Sequence, residues 1–282
     1  MKIQINYRVD YHYETEVGFS PHLFRLFPRV DRFVNVTRVE FSTNADADVQ
    51  YRRDLFDNEI ARCYYPERGT DLKTGLVLDV ELRERNPFHF LLESHALDFP
   101  FQYKPHEQDV LAPFLKPQAA NAPVALPFWQ PRPGATVDTL VGLNEAIHKN
   151  IIYERRDEGQ AREAAETSAL GVGSCRDFSV LLAEMLRANG VAARLASGYL
   201  CEFGEKEKRA EGSLHAWVEA YLPGGGWVGM DPTNGTLTNH YHITTAVGLT
   251  PEDITPVLGS YYNKTRVESK TDATLELIKC DE

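Results

Sequence analysis

The stretch GVGSCRDFSVLLAEMLRANG, residues 171–190, decides the fold. Its apolar positions Phe178, Leu181, Leu182, Met185 and Leu186 follow the i, i+3, i+4, i+7, i+8 spacing of a helix with one buried face. Gly190 stands just past the last periodic turn, where a left-handed cap is expected. Ser174 and Asp177 form the S-x-x-D pattern of a helix start, so Ser174 is the expected N-cap and Cys175 the first helical residue. A packing cysteine belongs further along the apolar stripe. In the first turn, the thiol lies beside unpaired backbone N–H groups and the positive end of the helix dipole, and both favour a thiolate. Since burial is the commoner use of cysteine, the position implies chemistry only if partners follow.

Partners are found in SLHAWVEAYLPGGGWVGMDPTNG, residues 213–235. Two alternating runs flank Pro223-Gly224-Gly225-Gly226, which reads as an antiparallel hairpin. His215, Trp217, Glu219 and Tyr221 share one face of the first strand. If Tyr221 stands opposite Trp227, Asp231 shares that face and lies diagonal to His215. Diagonal neighbours are about 7–8 Å apart at the backbone, within reach of an imidazole–carboxylate hydrogen bond. Glu219 is four residues along the same strand from His215, roughly 13 Å away at about 3.3 Å per residue, and too distant. A thiol, an imidazole and a carboxylate can act as nucleophile, general base and orienter. Taken singly, His215 also reads as a satisfied sheet histidine and Asp231 as a turn residue before Pro232.

Upstream, Ile3, Ile5, Tyr7, Val9, Tyr11 and Tyr13 occupy successive odd positions, the pattern of a half-buried strand. Short alternating runs follow at VNVTRVEFS, ARCYYPE and GLVLDVELRE, with DLFDNEIA as a tight turn between two of them. Residues 1–104 are therefore expected to form an antiparallel β-sandwich. Pro105, Pro113, Pro117, Pro123, Pro127, Pro131 and Pro133 then mark a connector over residues 105–136, with room for one short helix at HEQDVLAPFL. Leu140, Leu143, Ile147 and Ile151 begin a second helix, and residues 137–282 make the remaining core, with a last strand at ATLELIKC. The fold class is α+β.

The 282 residues carry a formal charge of −11 and 43% hydrophobic residues, the balance of an ordinary globular chain. That charge argues against a nucleic-acid or anionic-membrane surface. No stretch approaches membrane-spanning length, and MKIQINYRVDYHYE lacks the apolar core of a signal peptide. Cys63, Cys175, Cys201 and Cys280 show no paired short spacing, so a reducing cytoplasm is the expected setting. No cofactor is expected, since no phosphate-binding glycine loop follows a strand. His240 and His242 in NHYHIT have a spacing that can bind metal from a strand, but no further ligand is suitably spaced. An exposed loop-to-strand pair is the expectation there, and no metal site is assigned.

GSCRDFSVLLAEMLRANGVAARLASGYL, LHAWVEAYLPGGGWVGMDPTNG and HITTAVGLTPEDITPVLGSYY together resemble the bacterial transglutaminase-like family over roughly residues 140–262. YHYETEVGFSPHLFRLFPR and DLFDNEIA are similar to the β-rich region that precedes that family's core. The resemblance implies a papain-like thiol core with Cys175 as nucleophile, His215 as base and Asp231 as its orienter. It also implies a peptide or protein substrate, cleaved at a peptide or carboxamide bond through a thioester. A cross-linking acyltransferase and a non-catalytic binding module are the alternatives. Ser174 stands where a larger apolar residue is common in the family, Arg176 where glutamine is, and Leu249 where arginine is; these bear on substrate choice. Asp177 is expected to cap the helix, because a carboxylate at the sulfur would oppose ionisation. The Cys175 N–H is the first expected oxyanion donor and Tyr153 in IIYERRDEG the candidate second. CEFGEKEKRAEG is expected to be a solvated loop at the cleft rim.

Overall fold

Residues 2–19 form one 18-residue strand, β1 (Lys2–Phe19), and its alternation does what the sequence dictates: Ile3, Ile5, Tyr7 and Val9 are buried. The computed structural model describes residues 1–44, 46–118, 126–156, 159–203 and 209–280. After β1 come β2 (His22–Phe24), β3 (Val34–Ser42), β4 (Asp48–Arg53), β5 (Glu59–Tyr64) and β6 (Gly69–Leu82). The expected turn at residues 54–58 joins β4 to β5, with Asp57 at φ 61° and Asp54 accepting from the Phe56 and Asn58 N–H groups.

Four α-helices follow among the described residues: α1 (Pro105–Leu115), α2 (Thr136–Asn150), α3 (Ala164–Leu170) and α4 (Cys175–Ala188). The first is the short helix expected inside the connector. The strands resume with β7 (Ala193–Leu200), β8 (Arg209–Glu211), β9 (Ser213–Leu222), β10 (Gly226–Asp231), β11 (His242–Gly248) and β12 (Ser269–Cys280). All the sheet pairings among these strands are antiparallel.

Two sheets face each other in the first half of the molecule. One runs β8-β12-β1-β6-β3; the other sets β2, β5 and β4 beside the pair Val257–Leu258. Ile5, Leu78 and Leu277 from the first meet Phe24, Ala61 and Cys63 from the second in one core. The third sheet runs β10-β9-β7-β11, with Thr236–Leu237 outside β10. Against it pack the helices: Phe178, Leu181, Leu182, Met185 and Leu186 of α4 join Ala216, Val218 and Ala220 of β9 in a second core. Gly190, at φ 76°, ends α4 as expected.

The boundaries of the expected segments are crossed twice. β12 does not stay with residues 137–282: it pairs with β1 from Lys2↔Cys280 to Tyr13↔Ser269. In the other direction, Phe90, Leu92, Phe99 and Phe101, from the segment 1–104, pack on the α4 core. The cores also interpenetrate, since Tyr199, Cys201 and Ile243 belong to the sandwich and the Tyr199 hydroxyl donates to the Leu26 carbonyl at 2.9 Å. A fragment beginning at Gly134 is therefore expected to be insoluble or unfolded. It would expose Tyr199, Ile243, Leu275 and Leu277, at about 1.5–3 kcal/mol each, against a total stability of about 5–15 kcal/mol. A soluble, monomeric fragment with a cooperative thermal transition would contradict this.

Candidate active site

Ser174 is the N-cap of α4 and Cys175 its first residue. Asp177 is fully buried and closes the capping box: its Oδ2 accepts from the Ser174 N–H at 2.8 Å and the Ser174 hydroxyl at 2.9 Å. Its Oδ1 accepts from the Arg162 N–H at 2.6 Å and from Arg156 Nη2 at 2.7 Å. Asp177 therefore fixes the helix start and the chain beside it rather than touching the sulfur. Arg176 continues this lacing, with its guanidinium on the Gly159 carbonyl at 2.7 Å and the Arg156 carbonyl at 2.6 Å. Arg176 thereby ties down the segment flanking the thiol. Ser174 likewise takes a structural contact, and Leu249 offers its carbonyl to Arg187 Nη2 at 3.0 Å.

The β9–β10 hairpin has the expected register, with Tyr221 opposite Trp227 and Val218 opposite Met230. Gly224 and Gly226, at φ 85° and 71°, make the turn that sets it. The diagonal contact follows: His215 Nε2 lies 2.8 Å from Asp231 Oδ2, with the imidazole 7% exposed and the carboxylate fully buried. With Nε2 on the carboxylate, Nδ1 is the imidazole nitrogen left for Cys175, whose thiol is brought down by the neighbouring His215 and the Ala216 backbone. Glu219 is occupied elsewhere, paired with Arg194 at 2.6 Å. Glu219→Gln is accordingly expected to change turnover less than about twofold, as its carboxylate is engaged with Arg194 and stands four residues along β9 from His215.

The electrostatics of the three groups are coupled. Burial opposes ionisation of Cys175, but the hydrogen bond and charge of His215 outweigh it and bring the thiol below its ordinary value. Burial likewise opposes protonation of His215; the hydrogen bonds to Asp231 and Cys175 overcome it and raise the imidazole to about 10. Asp231 would also be raised by burial, yet the bonds from His215 and His242 hold it well below the usual carboxylate range. All three shifts run towards the charged forms: thiolate, imidazolium and carboxylate.

His242 was expected in an exposed pair with His240. The structure corrects this: its side chain is 5% exposed and its Nε2 lies 3.1 Å from Asp231 Oδ2. Asn239 occupies its other nitrogen, the Asn239 N–H reaching Nδ1 at 3.3 Å. Two asparagines also escaped the sequence reading. Asn234 Nδ2 donates to Asp231 Oδ2 at 2.8 Å, and Asn144 of α2 donates to the Asp231 carbonyl at 3.3 Å. Asn234, three residues beyond the carboxylate, was accessible as an Asx-type turn partner; Asn144 left no local signal.

Tyr153 pairs with Gly173 in a two-residue parallel ladder, which places it two residues along the chain's register from Cys175. Its ring is edge-on to Phe178 at 6.4 Å. Of the stretch 201–212, expected as a solvated loop, Cys201 is buried and Arg209–Glu211 form β8 on β12, while residues 204–208 lie outside the described residues. Gly198 of β7, opposite both His215 and Thr244, lets β11 approach, because a Cβ there would stand 1.9 Å from the Ile243 carbonyl oxygen. Gly198→Ala is expected to cost at least about 1–3 kcal/mol, since backbone rather than a flexible side chain must shift. A thermal midpoint equal to that of the parent would contradict this.

The transglutaminase-like superfamily model matches residues 131–232, which contain Cys175, His215 and Asp231, and the bacterial transglutaminase-like N-terminal region matches residues 3–81. The chain carries a transglutaminase-like core. A protein of Mycobacterium leprae, named as uncharacterized, is 37% identical over 91 residues, 32% of this chain and 32% of its own length. An uncharacterized protein of Mycobacterium tuberculosis is 29% identical over 149 residues, 50% of this chain and 47% of its own. The chain thus spans less than half the length of these curated relatives. A solved protein of Cytophaga hutchinsonii, named "Putative Cysteine Protease", shares the fold at a TM-score of 0.66 and 16% identity, covering 99% of this chain and 97% of that one. The fold is therefore shared along nearly the whole chain, and His242 lies beyond the span that the core model matches.

Proposed function

We propose that this protein is a cysteine peptidase or amidase that cleaves peptide or carboxamide bonds through a Cys175 thioester. The observation that carries the reading is His215 Nε2 at 2.8 Å from a fully buried Asp231 carboxylate, with Cys175 as the first residue of α4. Cys175 Sγ attacks the carbonyl carbon, and the C=O electron pair moves onto oxygen. The Cys175 N–H, in the first turn of α4 where no intrahelical acceptor exists, faces that oxyanion; Tyr153 is the proposed second donor. As the tetrahedral intermediate collapses, the C–N bond breaks and the His215 imidazolium gives its proton to the leaving nitrogen. His215 then takes a proton from water, whose oxygen attacks the thioester. The C–S bond breaks, releasing the carboxylic acid and the free enzyme.

Activity is expected to be bell-shaped in pH. The acid limb lies below the ordinary thiol value, where Cys175 protonates, and the alkaline limb near 10, where His215 loses its proton. Incubation of the full chain with a peptide library and a labelled amine, read by mass spectrometry, tests the function. Cleaved peptides or deamidated side chains support hydrolysis. Amine adducts alone would replace it with acyl transfer, and unchanged peptides across the pH range would overturn it.

A further inference from the structure

His242 enters the site from β11, and no step above uses it. Asp231 Oδ2 accepts from three donors: His215 Nε2 at 2.8 Å, Asn234 Nδ2 at 2.8 Å and His242 Nε2 at 3.1 Å. Oδ1 is separately held by the N–H groups of Thr233 at 2.9 Å and Asn234 at 3.3 Å. A carboxylate oxygen can only accept, so the 3.1 Å contact puts a proton on His242 Nε2, while at Nδ1 the Asn239 N–H lies 3.3 Å away and the Asn239 Oδ1 3.4 Å away. One indole holds both imidazoles: Trp217 lies 6.3 Å from the His215 ring at 29° and 5.4 Å from the His242 ring at 82°. A carboxylate oxygen has two lone pairs, so three donors on Oδ2 compete, and each weakens the hold of the others.

We propose that His242 is a positioning residue that shares Asp231 Oδ2 with His215 and tempers how strongly the carboxylate retains the His215 proton. The inference rests on the reading of Cys175, His215 and Asp231 as the reacting unit. An imidazolium held too tightly is a poor acid for the leaving nitrogen, because proton transfer is fastest when the donor's acidity suits the operating pH. Other charged or titratable groups line the same cavity of about 250 Å³ as His242: Arg29, Asp31, Arg85, Arg194, Glu219 and His240. Arg194 is neutralised by Glu219 at 2.6 Å. Among the described residues, the side chains hydrogen-bonded to the Asp231 carboxylate are His215, His242 and Asn234, and of these His242 lines that cavity.

Histidine-ring NMR on the full chain tests this. His242→Phe keeps a ring against Trp217 but donates nothing; His242→Gln keeps an N–H donor of similar reach. The His215 titration midpoint is expected to rise by about half a pH unit or more in His242→Phe, the scale of a lost hydrogen bond to a charged group, and to stay at the parent value in His242→Gln. An unchanged or lowered midpoint in His242→Phe, or equal shifts in both variants, would overturn the proposal. Should His242→Phe fail to fold, the parent protein decides: His242 must be the Nε2–H tautomer at neutral pH, and the Nδ1–H tautomer overturns the inference. None of these readouts needs a substrate. A protein that cleaves nothing yet shows the shift would lose the proposed hydrolysis and keep this coupling.

Discussion

Asp231→Asn is expected to lower turnover by roughly 100-fold or more while leaving the chain folded, because it reverses the hydrogen-bond sense at His215. Oδ1 accepts from two backbone N–H groups, Thr233 and Asn234. An asparagine must therefore keep its oxygen there and place its NH₂ at the Oδ2 position. That position faces the donors of His215, His242 and Asn234. His215 can satisfy the new N–H only by making Nε2 an acceptor, which moves its proton to Nδ1, the nitrogen facing Cys175. An imidazole in that tautomer cannot take the thiol proton. The negative charge that stabilises the imidazolium is lost as well. Steady-state kinetics beside Glu219→Gln, with circular dichroism for the fold, check this. Equal losses in the two variants would show that Asp231 is not the partner of His215 in turnover.

Cys175 is expected to react with iodoacetamide at pH 6 about tenfold faster than any other cysteine in the chain. A free thiol near 8.5 is ionised in only about one molecule in 300 at that pH, and a thiolate paired with an imidazolium is ionised in most. Nucleophilicity falls with pKa at a slope of only about 0.4–0.5, so part of the roughly 300-fold gain survives. Cys63 and Cys201 are buried, and desolvation pushes them up to about 11 and about 12, so both should be silent. Cys280 is exposed, which makes it the informative competitor. Peptide mapping after alkylation reads the ratio. His215→Ala should remove most of the Cys175 advantage over Cys280, as burial is then opposed only by the Ala216 backbone, Arg176 and the start of α4. Equal labelling of Cys175 and Cys280 in the folded parent would remove the ion pair from the mechanism.

Much of the site was legible in the chain because its parts are locally encoded. The stripe from Phe178 to Leu186 sets which way α4 faces, and Ser174 with Asp177 sets where it begins, so Cys175 had to lie at the first turn. The glycine turn after Leu222 fixes the hairpin register, and a period of two then carries Asp231 to the His215 face. Each signal is a spacing between near neighbours, and it survives whatever the rest of the chain does.

The pairing of β12 with β1 and the arrival of His242 at Asp231 were decided only in three dimensions. Residues Lys2 and Cys280 meet across nearly the full length of the chain, and an alternating strand such as ATLELIKC carries no mark of which edge it will join. His242 reaches the carboxylate because β11 lies along β7, drawn close where Gly198 has no Cβ to hold it off. The N-terminal half supports that strand: the Asn58 side chain brackets Val247 with two hydrogen bonds, at 2.8 and 2.9 Å, and the Arg29 N–H donates to the Thr244 carbonyl at 2.8 Å. Read alone, NHYHIT presents two histidines two apart, and nothing in that spacing distinguishes an exposed pair from a buried imidazole on a carboxylate. Sequence determined the helix that presents the thiol and the hairpin that joins imidazole to carboxylate, since local periodicity and turn chemistry act between neighbours. Tertiary packing chose the second imidazole and the strand that closes the sandwich, because the partner of an edge depends on burial shared by residues far apart in the chain.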